Sequence, residues 1–197
     1  MYINLGIGIP TLATNFFDPN INVTFHSENG ILGMGAYPLE SEVDPDLINA
    51  SKEVVTVLPG ASFFPSSDSF GMVRGKHIDL TMLGAFEVAE NADVANWIIP
   101  GVKIKGMGGA MDLVNGCNTL CIVMEHTSKG KSKVLKKCSL PLTGKGLTDI
   151  LITELAVFKF RDNKMILEEI ADVTTLEEVR ASTEAAFDVA PKLGRFQ

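Results

Sequence analysis

Short apolar runs alternate with amphipathic stretches along most of the chain. The runs that are β-branched or alternate with period two predict strands. They are MYINLGIG, NVTFHSE, KEVVTVLPG, IDLTMLGAFEV and TLCIVMEHT. The last is nearly continuous in apolar residues, which is typical of a strand that is covered on both faces.

Helices are predicted between and after these strands, in PTLATNFF, SSDSFGMVRG and TTLEEVRASTEAAF. Pro10 falls in the first turn of the first, and Thr174 or Thr175 caps the last. The segment DILITELAVFKF fits either a helix or a strand. The residues after it predict a hairpin around Asp162 and Asn163.

This order of elements predicts an α/β fold with an open, mostly parallel sheet flanked by helices. We expect residues 1–197 to form a single domain, because no repeat, linker or low-complexity tract interrupts them. A strand-like run begins almost at residue 1, which leaves room for a missing segment before it. Glycines concentrate at 6–8, 30–35, 106–109 and 144–146. In open α/β sheets, such loops at the carboxyl ends of strands hold the ligand.

The net charge of -7 argues against a nucleic-acid or anionic-membrane partner. No uninterrupted apolar run approaches the roughly 18 residues that a membrane span needs, and the N-terminus lacks the basic region of a signal peptide. The cysteines Cys117, Cys121 and Cys138 form no C-x-x-C pair and the histidines are scattered. We therefore predict no metal site and a reduced, intracellular protein.

Several familiar nucleotide-binding motifs fail on inspection. GIGIPT and GMGGAM lack the third glycine of a dinucleotide fingerprint, and GKS at 130–132 lacks the first glycine of a P-loop. A solvated loop is the favoured interpretation of the basic run, which comprises Lys129, Lys131, Lys133, Lys136 and Lys137.

The stretch FHSENGILGMG places one carboxylate, Glu28, at the end of a predicted strand and before three glycines. One interpretation is a hairpin in which Asn29-Gly30 is the turn and Glu28 lies on the surface. Against it, ILGMGAYP does not alternate like a returning strand, and a second glycine cluster occurs in KGMGGAMDL. The other interpretation is a nucleophile beside an oxyanion hole.

Seven segments together resemble the B subunit of the family I coenzyme A transferases, and its 3-oxoacid (succinyl-CoA:acetoacetate) members in particular. The resemblance runs from Asn4 to about Phe158. SENG and GGAMDL form its most specific pair. The segments are NLGIGIPTL, SENGILGMG, LINASKEVVTVLPGASFF, IDLTMLGAFEV, ANWIIPG, KGMGGAMDLV and LPLTGKG.

The resemblance implies the CoA-transferase (NagB/RpiA-like) fold and a role for each matching residue. Glu28 corresponds to the catalytic glutamate, which carries CoA as a glutamyl-CoA thioester in a ping-pong reaction. The backbone around Gly109 and Ala110 corresponds to the oxyanion contacts. Ile31, Leu32 and Met107 are expected to exclude water. The residues that correspond to CoA or substrate contacts are Asn4, Lys52 and Asn96.

The implied substrates are succinyl-CoA and a 3-oxo acid such as acetoacetate, as in ketone body metabolism. Coenzyme A is then a substrate, and no cofactor is expected. NADVANW and NGCNTL depart from the pattern of the 3-oxoacid enzymes, which leaves the acids open. Two alternatives also remain: a sugar-phosphate-binding sensor on the same fold, and an acyl-CoA hydrolase.

The resemblance also implies an A subunit that completes the active site, and hence a hetero-oligomer. Phe63 and Phe64 are assigned equally to a partner-facing patch or to the core. We expect a cytoplasmic protein if the chain is a separate subunit. If it is half of a fused chain, the mitochondrial matrix is expected.

Overall fold

A computed structural model of the chain describes residues 1–16, 18, 20–104, 106–162 and 164–197. Within these ranges the chain forms seventeen strands, labelled β1 to β17 in order. They are Tyr2–Leu5, Thr24–Ser27, Ile31–Met34, Val57–Phe63, Leu80–Leu83, Glu87–Ala89, Val94–Ala95, Ile98–Ile99, Lys103–Ile104, Thr119–Val123, Thr127–Ser128, Lys131–Ser132, Val134–Leu135, Ile150–Ile152, Ala156–Arg161, Lys164–Ala171 and Asp188–Phe196.

The helices in the described part of the chain are short. The α-helices, labelled α1 to α4, are Ile9–Leu12, Ser66–Arg74, Ala110–Gly116 and Leu176–Ser182. Single turns of 3₁₀-helix lie at Ala13–Phe16 and Glu40–Glu42. None of the described helices has the length and apolarity needed to cross a membrane.

Ten strands form one sheet in the order β17-β16-β15-β14-β10-β5-β1-β2-β3-β4. The five central strands, β14, β10, β5, β1 and β2, are mutually parallel. Antiparallel strands extend the sheet at both sides, and β17 lies parallel to β16. The prediction of an α/β fold with a largely parallel sheet is therefore confirmed.

Local propensity located the central strands and helices α1, α2 and α4, but neither α3 nor the C-terminal strand β17. Strand β10 is buried along its centre, as its continuous apolar run predicts. The ambiguous segment forms two strands, β14 and β15, and β15 pairs with β16 in the predicted hairpin. Asn163, which the prediction placed in the turn, lies outside the described residues.

Several predicted boundaries are wrong. The predicted helix TTLEEVRASTEAAF ends at Ser182, and IDLTMLGAFEV divides into β5 and β6, which lie in different sheets. The strand that Pro59-Gly60 was expected to close starts only at Val57 and continues through both residues to Phe63. Strand β4 lies at the edge of the sheet and pairs only with β3. Proline has no N–H to donate, and an edge strand tolerates this because one of its sides has no neighbouring strand.

The hydrophobic core lies in two unequal clusters. The larger one includes Val73 of α2, Leu113 of α3 and Val179 of α4, packed on the central and C-terminal strands. The smaller one is built from Ile3, Leu5, Ile31, Met34 and Val55, without any residue of α2, α3 or α4. The β1–β4 part of the sheet is therefore covered less thickly than the rest.

Candidate active site

A cavity of about 350 Å³ opens where the central parallel strands end. Residues that follow β1, β2, β5 and β10 line it, which is the edge where open α/β sheets bind ligands. These lining residues are Gly6 and Ile7, Glu28, Gly84 to Phe86, and Met124 and Glu125. The loop from Gly106 to Ala110, together with Asn96 and Lys133, completes the wall.

The SENG segment is a tight three-residue turn that joins β2 to β3. Ser27 pairs with Ile31 across it, and the Gly30 N–H donates to the Ser27 carbonyl oxygen at 2.9 Å. The Ser27 hydroxyl donates to Asn29 Oδ1 at 2.6 Å, and Asn29 Nδ2 donates to the Ile48 carbonyl oxygen at 2.7 Å. Three residues therefore hold the turn, and Glu28 is the one that lines the cavity.

The two interpretations of SENG, a hairpin or a loop that carries a nucleophile, are not alternatives. The hairpin exists, and ILGM is its returning strand. The alternation is missing because Ile31 and Met34 are both buried, and Leu32 half-buried, so neither face of β3 is polar. The objection to a hairpin was wrong, because it assumed a strand with one face in water.

Glu28 is half-buried, and its carboxylate makes no hydrogen bond or ion pair to any described residue. Burial raises its pKa above the ordinary value, because the charged form loses water. A carboxylate without partners in a partly dry cavity retains its full capacity to attack an electrophile or accept a proton.

Beneath the hairpin, the fully buried imidazole of His26 connects three elements. Asn4 Nδ2 of β1 donates to its Nδ1 at 2.9 Å, so the ring proton lies on Nε2 and is donated to Ser69 Oγ of α2 at 2.9 Å. Phe64 stacks on the ring at 6.1 Å between centroids and an angle of 11°. Burial lowers the His26 pKa to about 4, which keeps this ring neutral at physiological pH.

The glycine loop opposite leads into α3, with Gly109 as the residue before the helix. A Cβ at Gly109 would overlap the ring of Phe70 in α2, so close helix packing requires glycine there. The Ala110 N–H donates to the Met107 carbonyl oxygen at 3.2 Å. The Gly109 N–H has no backbone acceptor among the described residues and is the more available donor of the two.

The three remaining predicted contacts lie in different surroundings. Asn96 lines the cavity, donates from Nδ2 to the Gly84 carbonyl oxygen at 3.2 Å and accepts from the Thr143 hydroxyl at 2.7 Å. Asn4 is fully buried and bonded to His26, and does not line the cavity. Lys52 is exposed, with φ of 62°, in the turn before β4 and away from the lining.

The apolar residues that were expected to exclude water lie in different places, and so do the two phenylalanines at 63 and 64. Met107 lines the cavity, whereas Ile31 belongs to the smaller core and Leu32 lies in β3. Phe63 is 59% exposed, and Phe64 packs on His26. Phe63 is therefore outside the core, and the half-buried Phe64 belongs to neither core cluster; whether Phe63 faces a partner stays a prediction.

Sequence reasoning missed two charged residues of the cavity, Glu125 and Lys133. Four lysines of the basic run are exposed, as a solvated loop predicts, but Lys133 is half-buried. The available signal was position in the chain: Glu125 lies two residues after the end of β10, a central strand that borders the cavity. Nothing in the local pattern separates Lys133 from its neighbours.

The sequence model of the family described as Coenzyme A transferase matches residues 1–182. The chain is 60% identical over 190 residues to the B subunit of the succinyl-CoA:3-ketoacid coenzyme A transferase of Helicobacter pylori, covering 96% of this chain and 91% of that protein. It is 55% identical over 200 residues to the mitochondrial succinyl-CoA:3-ketoacid coenzyme A transferase 2A of Rattus norvegicus, covering 100% of this chain but 38% of that protein.

Among solved structures, the acyl-CoA transferase YdiF apoenzyme from Escherichia coli O157:H7 superposes with a TM-score of 0.78 at 20% identity. The match covers 100% of this chain and 40% of that one, so the chain spans less than half of the solved protein. At this identity the likeness establishes the shared fold.

The Gly30 position tests whether the hairpin depends on close packing. At φ of 121°, a Cβ there would also overlap the Phe64 carbonyl oxygen, whereas Gly60, at φ of 88°, has open space around it. We expect Gly60→Ala to cost about 1–2 kcal/mol of unfolding free energy from backbone strain alone. Gly30→Ala should cost clearly more, measured by urea unfolding; equal costs would contradict the packing argument.

The buried His26 makes the free energy of unfolding depend on pH, and the direction of this dependence follows from its lowered pKa. Its pKa is about 4 in the folded chain and 6.5 ordinarily, so the unfolded chain binds the proton more tightly. This stabilisation is complete above pH 6.5 and is lost as the pH falls towards 4, by roughly 3 kcal/mol in all. Urea unfolding should show a smaller loss over this range in a His26→Gln variant. An unchanged loss would show that His26 is not the group responsible.

Proposed function

Because the chain belongs to the coenzyme A transferase family as one of its B subunits, we propose that it transfers CoA between succinyl-CoA and a 3-oxo acid such as acetoacetate. The observation that carries the proposal is Glu28: a half-buried carboxylate without a partner among the described residues, in a glycine-lined cavity. A sugar-phosphate sensor would need no such nucleophile.

The reaction begins when a Glu28 carboxylate oxygen attacks the thioester carbonyl carbon. The carbon–sulfur bond breaks, CoA leaves as the thiolate, and a mixed anhydride forms on Glu28. The thiolate then attacks the Glu28 carbonyl carbon, which releases the first acid and leaves a glutamyl-CoA thioester. The acceptor acid reverses these steps, so bonds of the same kind are broken and made.

The surroundings of Glu28 supply what these steps require. Each addition gives a tetrahedral oxyanion, and the Gly109 N–H is the donor that best suits it; one lost donor of this kind costs about 3–4 kcal/mol. Asn96 holds the Gly84 loop and presents a second amide hydrogen at the cavity wall. Leu83, Leu113 and Met107 make part of the lining apolar, which slows hydrolysis of the anhydride and the thioester.

Removal of the nucleophile should abolish transfer. We expect Glu28→Gln and Glu28→Ala to reduce turnover of the assembled enzyme at least about a thousandfold. Glu28→Asp should also fail, because the shorter side chain withdraws the attacking oxygen by one methylene. The measurement is CoA transfer from succinyl-CoA to acetoacetate, followed by borohydride reduction and mass spectrometry of the peptide that contains Glu28.

Glu125 provides the matched control, since it is the other carboxylate that lines the cavity. Glu125→Gln should still form the reducible adduct at Glu28. A wild-type enzyme that turns over with no adduct at Glu28 would refute the covalent route. CoA release at the full rate without an acceptor acid would instead favour the hydrolase.

The thinly covered β1–β4 side of the sheet supports the proposal of an A-subunit partner. Edge strand β4 exposes Leu58 and Phe63, and Phe16 and Tyr37 are exposed on neighbouring segments. A second cavity of about 250 Å³ lies there, lined partly by Tyr37 and Leu58. Exposed apolar side chains along an edge strand are a suitable surface for a covering partner.

Activity and assembly should therefore both depend on the A subunit. The chain alone should be nearly inactive, and addition of the A subunit should restore turnover and raise the mass in solution. Phe63→Glu should weaken this association, because it buries a charge in the contact. Val173→Glu, at a residue 93% exposed on the loop before α4, is the control and should assemble normally. Full turnover by the chain alone would refute the shared site.

A further inference from the structure

One cation lines the active-site cavity in the described part of the chain. Lys133 is half-buried there, whereas the other four lysines of the same run are exposed. Its backbone is fixed on both sides: the N–H donates to the His126 carbonyl oxygen at 2.9 Å, and the carbonyl oxygen accepts from Val88 at 3.0 Å. The lysine is therefore a built part of the cavity wall.

The ammonium group of Lys133 lacks a direct partner among the described residues. Glu125 and Glu154 attract it electrostatically, but neither forms an ion pair with it. Glu154 already accepts the His126 N–H at 2.8 Å, and Glu125 is exposed and screened by water. Burial lowers the pKa of Lys133, which is the cost of a half-buried charge without a contact. An anionic ligand group would remove that cost.

Sheet order sets the approximate backbone spacing between Lys133 and Glu28. Glu28 follows β2, and Lys133 bonds to His126, just beyond the end of β10; β1 and β5 lie between these strands. Three strand spacings of about 4.8 Å separate the two positions by roughly 14 Å of backbone. Both side chains extend to the same cavity, so the space between them suits a short acyl chain.

We infer that Lys133 binds the distal carboxylate of a dicarboxylic acyl group while the thioester carbonyl of that group lies at Glu28. The inference rests on the proposed function. It adds an explanation of how the enzyme recognises the dicarboxylic acid of its two substrate acids. A four-carbon dicarboxylate carries a charge at its far end, whereas a 3-oxo acid such as acetoacetate ends in a neutral acetyl group. The cavity volume of about 350 Å³ accommodates a four-carbon acyl group.

The test compares two CoA donors, succinyl-CoA and acetoacetyl-CoA, in the assembled enzyme. Lys133→Met removes the charge and keeps most of the aliphatic stem. We expect kcat/KM for loading CoA onto Glu28 to fall about 10- to 100-fold with succinyl-CoA, and less than about threefold with acetoacetyl-CoA. Lys133→Arg should recover part of the succinyl-CoA rate. Lys131→Met, an exposed neighbour in the same basic run, should leave both rates unchanged.

The acetoacetyl-CoA rate is the internal control for folding and assembly. Equal losses with both donors, or no loss with either, would overturn the role of Lys133. Failure of the proposed function would look different, because wild-type enzyme would then load Glu28 from neither donor.

A second measurement needs no variant. Wild-type enzyme loaded with CoA should be discharged at least about tenfold faster by succinate than by butyrate, which has the same length but no distal charge. Equal discharge rates would overturn the inference even if Lys133→Met failed to assemble.

Discussion

The fold of the candidate site depends on one buried imidazole. His26 is the point where β1, β2, α2 and the residue after β4 meet, through Asn4, Ser69 and Phe64. The ring stays neutral because Asn4 Nδ2 donates to an unprotonated Nδ1 and burial disfavours the charged form. The hairpin that carries Glu28 begins one residue later, so its position at the cavity follows from this contact.

The hairpin itself shows how one sequence can meet a structural and a chemical requirement. Ser27, Asn29 and Gly30 are the residues that a tight turn uses, and each makes a bond that fixes it. This leaves Glu28 without a structural task. A turn at the carboxyl end of a parallel strand is directed to the ligand edge of the sheet, so the unused side chain lines the cavity, where we propose that it reacts.

The centre of this architecture was predictable from local pattern. Apolar runs located the central strands, and glycine clusters located two loops of the cavity. What local pattern could not supply was strand order, and the surroundings of Asn4 and Lys133 depend on it. Asn4 is polar in an otherwise apolar strand, but its burial against His26 arises only when β2 lies beside β1. Lys133 resembles its exposed neighbours until β10 places it beside the cavity.

In the proposed reaction, burial of Glu28 suits a carboxylate that must exchange a group with other carboxylates. Its raised pKa reflects lost solvation. An acid that enters the same cavity loses solvation for the same reason. Nucleophile and acceptor are then destabilised alike, and the exchange of CoA between them remains near thermoneutral inside the protein as it is in water. The distal charge of a dicarboxylate is not matched in this way by Glu28, which is why a separate cation across the cavity is required.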